Sequence, residues 1–505
     1  MENIRFFGKT FRTTLLFILL AELLSFFIYW FKIITDLNSV FFIITVLLIF
    51  IISLLDLKYG IYAALVELFI GSKGYLLALT IGNFSISIRI GIFCVVMLAW
   101  LILTLRKGLS KNIVQTIREH KELFWLALIC IWGLVFALIR QNTASDIFLD
   151  FNAWIYFLYF LPFITVLTKN KHLSEILQIF TAAITAIAIK SCFFLFVFSH
   201  KLGVMHDFYK WGRDTGWGEF TLIKGGFYRI FSQGQIFVLI GFFIVIGYLF
   251  FKRKFDYRTP TNQYLAITLF LLLTTTILSL SRSFWLSLIL SFILLLILAL
   301  WKYKLGWKAI ALMFMRLGFL TLLSYALIVA IMNFPISRGQ GVSNSGSMIT
   351  QRLMLTGDAI SSRWSQLPEL SKAIIAHPIV GSGWGATVTY QSQDPRILTL
   401  ENPQGWYTTY AFEWGYIDIV LKIGLIGLAI YLILIWSIFR KYWELWKKNT
   451  DRYSRALFVG LNLGLFSLLI VHGFSPYLNH PLGIGYILIL LVILNIYSNV
   501  EPTKA

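Results

Sequence analysis

Ala376-His-Pro-Ile-Val-Gly-Ser-Gly-Trp-Gly385 stands near the middle of a polar stretch, Asn333 to about Tyr416, set inside an otherwise apolar polypeptide. On either side, runs of Leu, Ile, Phe and Val alternate with short basic punctuation. Within the stretch, about 80 residues mix Arg, Asp, Glu, Gln, Trp, Gly and Pro as a folded, ligand-facing layer would. The contrast decides the fold: the flanks are built for lipid, and the interruption is where chemistry is expected.

With 58% hydrophobic and 17% aromatic residues and a mean hydropathy of +0.79, the chain is too apolar to keep a wet surface as a soluble globule. The expected class is an all-α polytopic membrane protein. The bilayer, not one central core, buries most of its apolar surface, so length does not translate into a domain count. We expect transmembrane helices over 1–332 with an outer loop at 200–235, a large loop with surface helices at 333–414, and C-terminal helices at 415–505. Cys94, Cys130 and Cys192 fall inside apolar runs, which excludes a disulfide framework or a cysteine-based metal site. The first run, about Thr13 to Phe31, is longer than a signal-peptide core and lacks a small-residue cleavage site, so it reads as a retained helix.

Roughly 18 to 20 apolar residues cross the hydrocarbon as a helix, at 1.5 Å per residue. That ruler finds roughly fourteen runs, near 13–31, 39–55, 59–71, 87–105, 122–139, 148–168, 174–199, 233–251, 263–280, 284–301, 309–332, 415–439, 456–474 and 482–498, for about 12 to 14 transmembrane helices. The third is short, and with Gly71, Gly74 and Gly82 nearby, 59–86 reads as a broken or re-entrant element.

Lys and Arg accumulate on the cytoplasmic side of membrane proteins. Arg5, Lys9 and Arg12, the loops at 106–121, 252–258 and 302–308, and Arg440 to Arg455 are the basic segments. They place both termini in the cytoplasm and 201–235, 281–283 and 333–416 on the outer face. Much of the formal charge of +20 is then topology, and no nucleic-acid partner is expected.

The outer segments share their arginines and aromatics. Lys210, Arg213, Lys224 and Arg229 alternate with Trp211, Trp217, Phe227 and Tyr228; guanidinium groups bind diphosphate in bidentate fashion, and aromatic faces stack on sugars or sit at the headgroup level. For Lys210, Trp211 and Trp217 the interfacial belt is the preferred reading. Arg229 stands at the mouth of a span. Arg282 lies in a turn between two spans, where a charge must snorkel or find an anion. Further on, Ser337 to Ser347 reads as flexible, and Ile349–Ala376 has helical spacing, with Arg352 and Arg363 on it and a kink expected at Pro368. His377-Pro378 ends that helix, since the residue before proline leaves the α region. Gly381, Gly383 and Gly385 permit a tight turn or a close approach.

In this order the strings resemble the bacterial O-antigen ligase and O-antigen polymerase superfamily of membrane glycosyltransferases. Ser-Leu-Ser-Arg282-Ser-Phe-Trp285-Leu is similar to its S-R-G-x-W-L turn. Arg363 with His377-Pro-Ile-Val-Gly-Ser-Gly-Trp-Gly385 is similar to its R…HP-L-x-G-x-G-x-G block. Glu413-Trp-Gly-Tyr416-Ile-Asp-Ile-Val-Leu-Lys-Ile-Gly424-Leu-Ile-Gly427-Leu is similar to its H/D-N-x-Y-L-x-x-L-x-x-x-G-x-x-G-L helix entry. Arg229-Ile-Phe-Ser-Gln-Gly-Gln235 is a weaker match to an R-x-x-G-x-F segment.

The resemblance implies a lipid-linked-sugar glycosyltransferase (GT-C-like) fold in the bacterial inner (plasma) membrane, with its active site on the periplasmic or outer face. It implies an oligosaccharide donor on undecaprenyl diphosphate and an acceptor glycan or glycolipid, as in lipopolysaccharide or exopolysaccharide biosynthesis. Glu413 stands where ligases of this family carry His as the presumed general base, and Trp414 replaces their Asn, which favours a polymerase or exopolysaccharide enzyme over a lipid A core ligase. Arg229, Arg282 and Arg363, with Arg352 in reserve, are the candidates to stabilise charge on the leaving diphosphate. Glu413 is the candidate base, Asp36 its rival, and inversion at the anomeric carbon the expected outcome. No paired-carboxylate motif occurs in the outer segments, so no metal and no cofactor is expected. His377 and Pro378 read as turn residues.

A transporter or flippase of lipid-linked oligosaccharide is the alternative. It should carry charge through the depth of the bundle, whereas Glu22, Glu67, Lys190 and Arg316 are scattered and read as structural pairs or snorkelling ends.

Overall fold

The computed structural model describes residues 4–31, 37–82, 84–108, 117, 119–223, 227–251, 259–334, 358–392, 394, 397–399 and 401–499. Among them, twelve helices are long and apolar enough to cross a membrane, from Lys9–Trp30 to Pro481–Ser498. The protein is an all-α polytopic membrane protein. Two of the fourteen apolar runs form shorter helices: 59–71 is Leu57–Ile70, 14 residues, and 233–251 is Gln235–Phe251, 17 residues. Both are largely buried by protein instead of lipid, which is why their apolar character exceeds their length.

Gln235–Phe251 is the axis of the bundle. It packs along Arg452–His472, and the two backbones meet at glycines: a Cβ on Gly247 would lie 2.7 Å from the Gly460 Cα. Small residues at such a crossing let helices approach closely enough for dispersion to hold them, since lipid offers no hydrophobic drive between helices.

Charges within the spans pair off. Lys190 lies 2.5 Å from Glu22, and its ammonium sits 4.2 Å from the ring of Trp217 and 4.9 Å from that of Trp211. These two tryptophans are 2% exposed, so the interfacial-belt reading fails for them. They are the floor of a second aromatic core with Phe194, Phe198 and Phe220, which buries the apolar part of the Lys190–Glu22 site. Arg89 pairs with Glu67 at 2.9 Å, again buried.

Three short antiparallel hairpins, not anticipated from an all-helical pattern, sit at one end of the bundle. They are β1 (Ala78–Ile81) with β2 (Phe84–Ser87), β3 (Glu219–Ile223) with β4 (Phe227–Phe231), and β5 (Val388–Gln391) with β6 (Trp406–Thr409). The segment 59–86 is therefore a short helix followed by a hairpin. Shared contacts join the three units. The Lys73 N–H donates to the Gly216 carbonyl ahead of β3, the Tyr477 hydroxyl to the Gln233 carbonyl after β4 at 3.3 Å, and the Trp414 ring, after β6, packs 6.0 Å from Phe474. Strands of four or five residues expose too little apolar surface to stand alone; each hairpin is stable here because one face rests on the helix ends, as with Ile230, which is fully buried.

Candidate functional site

The Asp358–Ala376 helix runs through Pro368 and ends at His377-Pro378. There the chain enters a break in the Gly415–Lys448 helix, where Gly424 has φ +70°. A broken helix leaves N–H and C=O groups without intrahelical partners, and buried ones must be paired elsewhere. The glycine strap pairs them. The Ser382 and Gly383 N–H groups donate to the Leu421 and Lys422 carbonyls at 2.7 and 2.9 Å, while the Leu425 and Ile426 N–H groups donate to the Pro378 and Ile379 carbonyls at 2.9 and 3.3 Å. Backbone-to-backbone approach explains the residue type. A Cβ on Gly381 would lie 2.4 Å from the Lys422 carbonyl oxygen, and one on Gly383 2.4 Å from the Ala137 nitrogen; Gly381, Gly383 and Gly385 all have φ in the left-handed region. Trp384, 1% exposed, plugs the strap into the bundle by donating its indole N–H to the Cys130 carbonyl at 2.9 Å.

One ammonium holds both feet of the β5–β6 hairpin. Lys422, 1% exposed, donates to the Ala386 carbonyl at 3.0 Å and the Tyr410 carbonyl at 2.7 Å, and pairs with Asp150 at 2.7 Å. Asp150 also accepts the Gly385 N–H at 2.8 Å. Sequence reasoning missed both residues. The signal was present, since each is a charge in an apolar run, where a charge is tolerated only if paired. His377 meets Arg140, whose Nη2 is 3.0 Å from its Nδ1, and Pro378 serves through its carbonyl.

Arg229 and Arg282 come to one corner. The Arg229 Nε donates to the Ser279 carbonyl at 2.8 Å, in the turn that leads to Arg282, and its guanidinium lies 4.6 Å from the Phe231 ring. Phe231 packs 5.9 Å from Phe284, and Phe284 packs 6.3 Å from Tyr477. Arg363 and Glu413 form a second group as an ion pair, with side chains 39% and 49% exposed. Beside them the Trp414 indole donates to the Arg363 carbonyl at 2.9 Å, and Trp364 stands edge-on to Trp414 at 5.4 Å. Arg352 and Asp36 lie outside the described residues.

The two groups are joined by the turn from Gly473 to His480, which sequence reasoning did not single out. Phe474 touches Trp414, Tyr477 touches Phe284, and Asn479 donates to Asp418 in the first turn of the Gly415–Lys448 helix at 2.7 Å. Its last residue, His480, accepts the Leu482 N–H on Nδ1 at 3.3 Å. Desolvation, with Arg89 and Lys73 nearby, pushes its pKa down to about 3. Its neighbour Ser-Pro-Tyr-Leu-Asn between two spans was a readable turn signal. Among the described residues, no group of three or more His, Cys, Asp or Glu could hold a metal ion.

Fold and polar end together define a multi-pass membrane protein with a cationic, aromatic-rich face built on broken and half-length helices. Residues 267–432 match the family model described as O-antigen ligase, a domain that supports the O-antigen ligase and polymerase superfamily. The match spans Arg282, Arg363, the glycine strap and Glu413, and leaves Arg229 outside. No curated protein matches the chain.

Proposed function

We propose that the protein is a membrane glycosyltransferase that moves an oligosaccharide from undecaprenyl diphosphate to a hydroxyl of an acceptor glycan or glycolipid, in O-antigen or exopolysaccharide polymerisation or ligation. The observation that carries the reading is the meeting, at one end of the bundle and largely within the matched domain, of Arg229 and Arg282 on one side of the Gly473–His480 turn with Arg363 and Glu413 on the other. In this reading that end faces the periplasm or outer surface of a bacterial inner membrane, and both termini are cytoplasmic.

The acceptor oxygen forms a bond to the anomeric carbon as the bond from that carbon to the diphosphate oxygen breaks. The electron pair leaves with undecaprenyl diphosphate, and the hydroxyl proton goes to Glu413. Direct displacement inverts the anomeric centre. The arginines supply the stabilising charge on the leaving group, so the step is metal-independent. Arg282 is placed at the first position of the Arg282–Trp301 helix, whose dipole adds to the attraction for an anion.

Membrane vesicles carrying the protein and labelled lipid-linked oligosaccharide separate transfer from transport. Transfer predicts label on the acceptor glycan; label that crosses the membrane still on its lipid would overturn the reading in favour of a flippase. Glu413→Gln keeps the shape and cannot take the proton, so transfer should fall roughly 10²- to 10⁴-fold with no loss of donor binding. A wild-type rate in Glu413→Gln together with loss in Asp36→Asn would move the base to Asp36.

A further inference from the structure

The guanidinium assigned to the diphosphate and the carboxylate assigned to the proton are bound to each other. Arg363 lies on the Asp358–Ala376 helix, and Glu413 in the turn before the Gly415–Lys448 helix. Their backbones are fixed. Trp414 donates to the Arg363 carbonyl and packs against Trp364 and Phe474, and Lys422 holds the Tyr410 carbonyl just ahead of Glu413. The side chains, by contrast, are partly open to solvent, at 39% and 49% exposure. We propose that the Arg363–Glu413 pair is a latch operated by the donor: the diphosphate takes the Arg363 guanidinium, Glu413 is set free to accept the acceptor's proton, and donor therefore binds before the acceptor is activated. This rests on the function proposed above and adds the order of events to it.

The physical case is a competition. An exposed pair of single charges is held weakly, because water screens it and two long side chains must be ordered. A diphosphate carries more charge than a carboxylate and presents several oxygens to the planar fork of an arginine. A carboxylate engaged by a guanidinium has its charged form stabilised and its lone pairs occupied, so it is a poor proton acceptor until the guanidinium is withdrawn. The linkage is reciprocal: if the diphosphate must displace Glu413, then Glu413 must oppose the diphosphate by the same factor.

Undecaprenyl diphosphate without sugar is the probe, and its binding to the purified full-length protein in nanodiscs is the measurement. Glu413→Gln should bind it more tightly than wild type, by about two- to fivefold, the weight of an exposed ion pair. Arg363→Ala should bind it more weakly, and the double variant should bind as Arg363→Ala does. Equal affinity in wild type and Glu413→Gln would overturn the latch. So would the same tightening in the Arg363→Ala background, which would mean that Glu413 acts only through its field. Either result leaves the transferase reading standing. No saturable binding of undecaprenyl diphosphate to wild type would instead overturn the donor class, and the latch with it. Arg363→Gln replaces Arg363→Ala in the cycle should the latter not fold.

Discussion

Arg229 and Arg282 reach one corner from opposite directions, one from a strand and one from a helix start, and their roles need not be equal. Arg229 already spends its Nε on the Ser279 carbonyl and lies against Phe231, so part of its contribution is to hold the turn that presents Arg282. Loss of a charge-assisted bond to a buried leaving group costs about 1.5–3 kcal/mol. We therefore expect Arg282→Ala to slow transfer by about 10- to 150-fold, and Arg363→Ala by less, because Arg363 is 39% exposed and water screens it. Arg282→Lys should recover only part of the rate, since an ammonium cannot grip two oxygens in a plane. Initial rates in vesicles, with protein inserted at wild-type level, check this. An Arg282→Ala rate equal to wild type would remove Arg282 from the clamp.

At the scale of the element, the glycine string is an architectural part: it supplies the hydrogen bonds that the Gly415–Lys448 helix lacks at its break. Gly383→Ala meets two penalties, a left-handed φ of +82° and a Cβ 2.4 Å from the Ala137 nitrogen. We expect a loss of about 1–3 kcal/mol or more in stability, read as a lowered thermal midpoint and yield of the purified protein. Gly203→Ala, where a Cβ meets nothing within 4 Å, should be neutral. The spacing of the three glycines was legible in the sequence. Its purpose was not, because the partner carbonyls lie some 40 residues further on, in what reads as an uninterrupted apolar run with only Gly424 to mark the break.

At the scale of the molecule, the charge bias predicts a sidedness that labelling can check. In a background without Cys94, Cys130 and Cys192, Gln404→Cys at the hairpin end should react with a membrane-impermeant maleimide applied from the outer face, and Thr450→Cys, in the basic segment between two helices, should not. The reverse pattern would turn the protein over and place the proposed site in the cytoplasm.

Hydropathy alone determined the class of this protein and most of its helices, because the need to match about 30 Å of hydrocarbon writes itself into run length and composition. Leu57–Ile70 and Gln235–Phe251 read as runs like the others although they form shorter helices, since a helix wrapped by protein and one wrapped by lipid are equally apolar. The arginine, glycine and Glu413 strings were readable as local patterns. Only the tertiary structure decided what each of them meets: that Lys190 is caged by Trp211 and Trp217, that Lys422 and Asp150 pin the strap and the β5–β6 hairpin, and that Glu413 faces Arg363 across two helix ends. Those pairings join residues 21 to 272 positions apart. The stability of the buried ones comes from desolvated charge and backbone complementarity, which exist only after the chain has packed.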